Sequence, residues 1–299
     1  MDKLKVAIVI INYNGLENTL DCLDSLRQIE VGRNLVEIVV VENGSTDGSR
    51  EALTNLKDIH LVTSFENLGF AGGANLGINY ALKRNSDYII IINNDTVVDK
   101  LALKKLMTAT KVGDIISPKI YFAPGFEFHK ERYKKSEQGK VIWYAGGKID
   151  WDNIIGIHVG VDEVDTGQFN RRRQIDLATG ACMLVKRQVF EKIGLFDQKY
   201  FLYLEDMDFA TRAQKANFKI IFEPQAIIWH KNAGSVGGSG SKTQDYYITR
   251  NRLLFAAKYA KIRTKFAVLK QIITSASDRT KRQALLDFLT LRFGKKHGS

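Results

Sequence analysis

Three short runs, apolar almost throughout, constrain the fold of this chain more than any other feature: Val6–Ile11, Val36–Val41 and Tyr88–Ile92. Each is followed at once by a small polar turn: Asn12-Tyr13-Asn14-Gly15, Glu42-Asn43-Gly44-Ser45 and Asn93-Asn94-Asp95-Thr96. Runs of this kind predict strands covered on both faces, hence a parallel sheet with helices between the strands. The segments between them agree. Leu16–Ile29 carries Leu20, Leu23 and Leu26 at helical spacing, Thr46–Leu56 and Phe70–Lys83 read as helices, and Ile59–Thr63 reads as a further strand. Ser45 or Thr46 is a candidate N-cap for the second helix. The expected class is α/β, a Rossmann-like, mostly parallel central sheet flanked by helices. Ligands in such sheets bind beyond the carboxyl ends of the strands, so three polar turns on one rim predict a site there.

Composition narrows the class. Of 299 residues, 44% are apolar and 26% charged, which excludes a disordered chain, a collagen-like repeat and a disulfide scaffold. The apolar runs fall far short of the roughly 18 residues of a transmembrane helix. The opening MDKLKVAIVII runs into NYNG without a signal-peptide cleavage site, so the expectation is a cytoplasmic protein. Two cysteines build neither a framework nor a metal site; Cys22, beside Leu23 and Leu26, reads as a packed thiol. The net charge of +11 is local. Arg250–Ser299 holds 13 basic and 2 acidic residues, so residues 1–249 are neutral. A basic helical extension is expected over 246–299, with a helical pattern from Asp245 to about Lys270 that puts Leu253, Leu254, Ala257 and Ala260 opposite the basic residues. Such a tail suits an anionic membrane face, with a merely solvated charged face as the alternative. No interleaved aromatic platform accompanies it, so nucleic acid is not an expected partner.

Between these regions, 124–140 reads as a mobile polar excursion and 141–178 as irregular β structure with Tyr144, Gly146, Gly147 and Gly156 as turn material. Helices are expected at Lys186–Ile193 and Asp206–Ala216, a strand at Lys219–Phe222, and a flexible Gly/Ser loop at Gly234–Lys242.

Several residues can carry chemistry. Asp95, ending a very apolar strand beside Asn94, can hold a hard divalent cation; Mg²⁺ typically takes one or two protein carboxylates and fills the rest with water and phosphate oxygens. Asp95 or Thr96 can equally cap a helix near Asp99–Met107. Glu205, Asp206 and Asp208 follow the aromatic run Tyr200–Tyr203, where acids are costly unless paired or facing a cleft. Acids also suit a helix start, the alternative for Asp208. His230 ends another apolar run, as a structural residue or as a ligand beside the Gly/Ser loop. In Asn67–Gly77 the glycines let helix and sheet approach closely, or let backbone approach a ligand. Arg250 can pair with diphosphate oxygens or be a solvated tail arginine.

Taken in order, IVIINYN, VVVENGSTDGS, NLGFAGGANLG, IINNDT, ATGACMLVKR, YFLYLEDMDFATRA and the strand ending in His230 resemble the inverting family 2 glycosyltransferases of the GT-A fold. The likeness runs from about residue 5 to 255 and is greatest to the bacterial rhamnosyltransferase-like branch. The resemblance implies transfer of a sugar, with inversion, from a nucleotide-diphosphate donor to an acceptor hydroxyl. Asn12, Tyr13, Asn14, Glu42 and Asn43 would hold base and ribose; the family usually has Asp where Glu42 stands. Asn67, Gly72 and Asn75 join the expected donor site. Asn94–Asp95 matches the metal-binding position for Mg²⁺ or Mn²⁺, His230 a second metal ligand, and Asp206, beside Glu205, the catalytic base. The donor implied is dTDP-rhamnose or a UDP-hexose. The acceptor is a glycan or polyprenyl-linked sugar in cell-surface polysaccharide or lipid-linked glycan synthesis, with the enzyme peripheral on the inner membrane face. The expected domain covers 1–245, a nucleotide half at 1–120 and an acceptor half at 121–245. A nucleotidyltransferase would need a lysine-containing glycine-rich loop after the first strand, which NYNGLENT lacks; a noncatalytic nucleotide-sugar-binding homologue is the other alternative.

Overall fold

The computed structural model of the protein describes residues 3–232 and 241–296. Apart from Ser241 and Lys242, the predicted Gly/Ser loop therefore lies outside the described residues. The first half alternates as its pattern predicts: β1 (Lys5–Asn12), α1 (Leu16–Leu26), β2 (Leu35–Asn43), α2 (Ser49–Thr54), β3 (His60–Ser64), α3 (Gly69–Lys83) and β4 (Tyr88–Asn93). These four strands are parallel neighbours in the order β3-β2-β1-β4. Asn12 lies opposite Glu42, and Ile11 opposite Asn93, so the three polar turns emerge level on one rim.

Next come β5 (Thr96–Val98), α4 (Ala102–Ala109), β6 (Ile115–Phe122), β7 (Ile142–Tyr144), β8 (Gly147–Asp150), β9 (Ile155–His158), β10 (Arg173–Gln174), β11 (Cys182–Lys186), α5 (Arg187–Ile193), α6 (Glu205–Lys215) and β12 (Ile220–His230). The sheet continues from β4 through β11, antiparallel to both its neighbours, to β6, β12 and β10. β12 runs parallel to β6. β5 joins β12 and β7 joins β6, while β8 and β9 form a separate hairpin.

The core is the middle of the sheet: Ala7–Ile10, Val39–Val41 and Ile89–Ile92 are essentially inaccessible. Cys22 and Leu23 of α1 are buried with them, and replacing a fully buried leucine such as Leu23 by alanine typically costs about 2–5 kcal/mol. On α3 the glycines serve helix–sheet approach. A Cβ at Gly77 would stand 2.2 Å from Val9 Cγ1 and 2.9 Å from Val41 Cγ2, inside any tolerable contact.

The structure departs from the sequence pattern in four places. Asp95 and Thr96 cap no helix; the residues after Asp95 form β5 instead. Residues 124–140 are stapled rather than loose: buried Glu127 accepts hydrogen bonds from the Gly125 and Gly139 backbone N–H groups at 2.9 and 3.0 Å. β12 is 11 residues long because a register shift between Glu223 and Ile227 accommodates Pro224 without breaking the strand. The basic tail is three helices, α7 (Lys242–Tyr259), α8 (Ile262–Thr274) and α9 (Arg279–Leu289), so the boundary expected at 245/246 falls inside α7. α7 is buried on more than its apolar side, with Tyr246, Tyr247, Arg250 and Asn251 enclosed as well as Leu253 and Phe255.

Candidate active site

The β5–β12 pairing makes the first part of the site. It sets Thr96 opposite His230 and brings Asp95 Oδ1 to 2.9 Å from His230 Nε2. Both side chains are nearly buried. The Trp143 ring stands edge-on between two imidazoles, 4.5 Å from His230 and 4.7 Å from His158. Burial pushes His158 down to about 4, so it is neutral at physiological pH. Among the described residues His230 Nδ1 has no hydrogen-bond partner, and no group of three His, Cys, Asp or Glu side chains gathers to hold a metal. One carboxylate and one imidazole do not make a closed metal site. They fit a cation whose remaining ligands are water and substrate phosphate oxygens.

The second part is the entry to α6. Phe201, Tyr203 and Leu204 all have positive φ, at 63°, 68° and 67°. Each left-handed non-glycine residue costs on the order of 1–3 kcal/mol and persists only where its surroundings over-determine it. Here α7 provides that restraint. Arg250 Nη2 donates to the Lys199 and Tyr200 carbonyls at 3.1 and 3.0 Å, and Nη1 donates to the Gly294 carbonyl at 2.7 Å. Asn251 Nδ2 donates to the carbonyls of Tyr200, Leu202 and Tyr203 at 2.8–2.9 Å. From the other side, the Ala71 N–H donates to Phe201 O at 3.2 Å.

This loop delivers two carboxyls with unlike surroundings. Asp206 accepts from the Met207 and Gly180 N–H groups at 2.8 and 3.1 Å, yet burial still raises its pKa. Glu205 Oε2 has no partner among the described residues; burial, then the charge of Asp206, push its pKa well up. Asp208 behaves oppositely. Burial opposes its charge, but Lys258 and Arg212 outweigh that and hold it below the usual range. It ties α6 to α7, with Tyr259 Oη donating to it at 2.8 Å.

Both parts face one cavity of about 600 Å³, within the roughly 300–1,000 Å³ range of small-molecule sites. Of the predicted residues, Tyr13, Asn43, Asn67, Asn94, Asp95, Glu205, Asp206 and His230 line it. Trp143, His158, Thr179, Gly180, Tyr203, Gln244 and Ile248 also line it without having been singled out. Gly180 carried a usable signal, since it lies in the ATGACMLVKR motif and its N–H orients Asp206. Trp143 and His158 lie in the stretch without clear periodicity and carried none.

Six expected donor-site residues do not line the cavity. Asn12 is buried, accepting from Thr19 Oγ1 at 2.8 Å and donating to Ser45 Oγ at 3.2 Å. Asn14 Oδ1 accepts from the Thr46 N–H at 2.7 Å. Glu42 is fully buried and engaged by the Ser45 N–H at 2.6 Å and Arg50 at 3.0 Å. Asn75 clamps Phe196, its Nδ2 donating to the carbonyl and its Oδ1 accepting from the N–H. Gly72 faces Leu68, whose Cβ an added Cβ would meet at 2.6 Å. Arg250, neither solvated nor free for a diphosphate, is enclosed between the Tyr246 and Tyr247 rings and the carbonyls it bridges.

The Glycosyl transferase family 2 model matches residues 7–194, and the chain belongs to that family. It is 27% identical to a low-salt glycan biosynthesis hexosyltransferase, Agl10, of Haloferax volcanii over 72% of this chain; the match spans 63% of that protein. It is 25% identical to the N-acetylglucosaminyl-diphospho-decaprenol L-rhamnosyltransferase of Mycobacterium tuberculosis, covering 68% of each chain, and 23% identical to the dTDP-rhamnosyl transferase RfbF of Shigella flexneri, covering 84% and 79%. The fold is GT-A. It resembles GalNAc-T7, solved with UDP, GalNAc and Mn²⁺, at a TM-score of 0.62 and 16% identity, over 90% of this chain and 55% of that one. It also resembles the mannosyltransferase PcManGT of Pyrobaculum calidifontis, solved with GDP-Man and Mn²⁺, at 0.55 and 15% identity, over 98% and 89%.

Proposed function

We propose that the protein transfers a sugar, with inversion, from a nucleotide-diphosphate donor to an acceptor hydroxyl in glycan synthesis. The observation that carries this reading is that one cavity is lined at once by Asp206 and by the Asp95–His230 pair. Asp206 takes the proton of the attacking hydroxyl as the new bond to the anomeric carbon forms and the bond to the diphosphate breaks. Two backbone N–H groups fix the direction of its carboxylate, and a carboxyl pKa raised by burial strengthens it as a base. Inversion needs a single displacement and no covalent nucleophile. Asp95 and His230 would hold Mg²⁺ or Mn²⁺, which when bound supplies positive charge to the leaving diphosphate. Tyr13, Asn43 and Asn67 bound the side of the cavity where the nucleotide would lie. For the donor we propose dTDP-rhamnose, with a UDP-hexose next. For the acceptor we propose a polyprenyl-linked sugar at the inner membrane face, in keeping with the named mycobacterial relative. The catalytic unit in this reading runs past residue 245 through α7, which contributes Gln244 and Ile248 to the cavity.

Thermal-shift and calorimetric binding of dTDP, UDP, GDP and their sugars, with and without Mn²⁺ or Mg²⁺, tests the reading. Stabilisation by one nucleotide that requires the cation and disappears in Asp95→Ala is expected. A folded protein that none of them stabilises would leave a noncatalytic homologue as the better account.

A further inference from the structure

Because α7 is buried, the amphipathic face expected of the tail has to be sought in the helices that follow it. α8 carries it. Ile262, Phe266 and Ile273 are 68%, 65% and 54% exposed, and with half-buried Leu269 they fall within about 60° of one another at 100° per residue. Val268 and Ile272, turned about 90–130° from the stripe, are buried against the rest of the molecule. The stripe is edged on both sides by basic residues, Lys265 on one flank and Arg263 and Lys270 on the other, with Lys261 just before the helix. No acidic residue occurs between Lys261 and Ser277. α9 adds exposed Leu286 and Leu289 beside Arg279, Lys281 and Arg282.

We infer that this face of α8 docks on an anionic bilayer surface, with Ile262, Phe266 and Ile273 entering among the headgroups and the flanking Lys and Arg side chains pairing with lipid phosphates. The inference deepens the proposed membrane-face acceptor by naming the surface that would reach it. Thirteen residues span about 20 Å, too short to cross a bilayer, and among the described residues no helix is long and apolar enough to do so. A short helix with an apolar stripe between basic flanks lies in the interfacial plane, its long cationic side chains reaching outward to the headgroups. A second copy of the chain is the poorer occupant. Stripe-to-stripe pairing would oppose Arg263, Lys265 and Lys270 with the same three residues of the other copy, and α8 offers no acid to meet them. Docking here has a consequence for the site. α7 lines the cavity at Ile248 and runs about 17 Å to its end at Tyr259 before α8 begins, so a bound α8 fixes how far the cavity stands from the lipid surface.

The test is co-sedimentation of the full chain with vesicles of phosphatidylcholine alone and of phosphatidylcholine mixed with phosphatidylglycerol. Binding to the mixed vesicles that weakens with salt is expected. Ile262→Glu/Phe266→Glu should lower it on the order of tenfold or more, and Arg263→Glu/Lys270→Glu, at two exposed positions, should lower it too. All four sites are at the surface, so thermal midpoints and nucleotide-induced shifts should match the wild type. Absence of vesicle binding, equal binding to both compositions, unchanged binding by the double variants, or a wild-type dimer that Phe266→Glu dissolves would each overturn the inference. Vesicle binding without any nucleotide-induced shift would leave the docking face standing and overturn the activity reading instead.

Discussion

The frame behind one side of the cavity and the wall on the other treat polar side chains in opposite ways. On the β1–β2 rim almost every polar group is matched to a neighbour: Asn12 to Thr19 and Ser45, Glu42 to Ser45 and Arg50, Asn43 to Asn67 and the Leu68 N–H. On the α6 wall, a backbone held in left-handed conformations presents two carboxyls that burial keeps above their ordinary pKa, one of them with an oxygen that has no partner among the described residues. The first is a rigid frame. The second stores unfavourable free energy where the chemistry is proposed to occur. Buried polar groups are normally satisfied, so a satisfied asparagine tells little about function, while an unsatisfied carboxyl beside a cavity tells more.

The largest effect expected from this contrast is at Asp206. Asp206→Asn keeps the shape and the oxygen facing Gly180 but removes the base. It should cut turnover by about 10²–10⁴-fold with donor affinity unchanged; in the melting temperature, relief of the buried charge is offset by loss of the acceptor for the Met207 N–H. Parallel losses in affinity and turnover would mean that Asp206 binds donor rather than activates acceptor, and the two sides would no longer differ in kind.

Next is the support behind the strained wall. Arg250→Ala removes donors from the Lys199, Tyr200 and Gly294 carbonyls. With a buried unsatisfied group costing about 1–3 kcal/mol, a loss of roughly 3 kcal/mol is expected in urea denaturation. Arg250→Lys should rescue little, because a single ammonium cannot span carbonyls in three directions. Full stability in Arg250→Ala would show that the loop holds its shape without α7.

These contrasts also show what the sequence could and could not convey. The parallel sheet and its level rim were legible, because apolar runs such as Val6–Ile11 can be buried on both faces only in a covered parallel sheet; the order of the strands was not. Asp95, Asp206 and His230 were singled out by position, each following an apolar or aromatic run. Arg250 and Asn75 were misplaced because residue type reports capacity for hydrogen bonding and says nothing of the partner, which for both is backbone far away in sequence. The neighbour of Asp95 was hidden for a related reason. A three-residue strand like β5 leaves no periodicity, and its pairing with β12 joins residues more than a hundred positions apart.

The smallest effect is the most direct probe of the unfavourable wall. Glu205 is nearly buried, next to Asp206, with its pKa raised well above the ordinary value of 4.5. The folded chain therefore holds this proton more tightly than the unfolded chain does. The stability so gained is fully present below about pH 4.5 and is lost as pH rises through the raised value. Glu205→Gln has no proton to lose there. Its melting temperature should diverge upward from wild type as pH increases from about 5 to 8, by about 2–4 °C if the relief is ~1 kcal/mol, and the difference between the two should stop changing below about pH 4.5. A difference that stays constant with pH, or a variant less stable than wild type at pH 8, would mean that the Glu205 carboxylate is compensated in the folded protein. The α6 wall would then be as well satisfied as the β1–β2 rim.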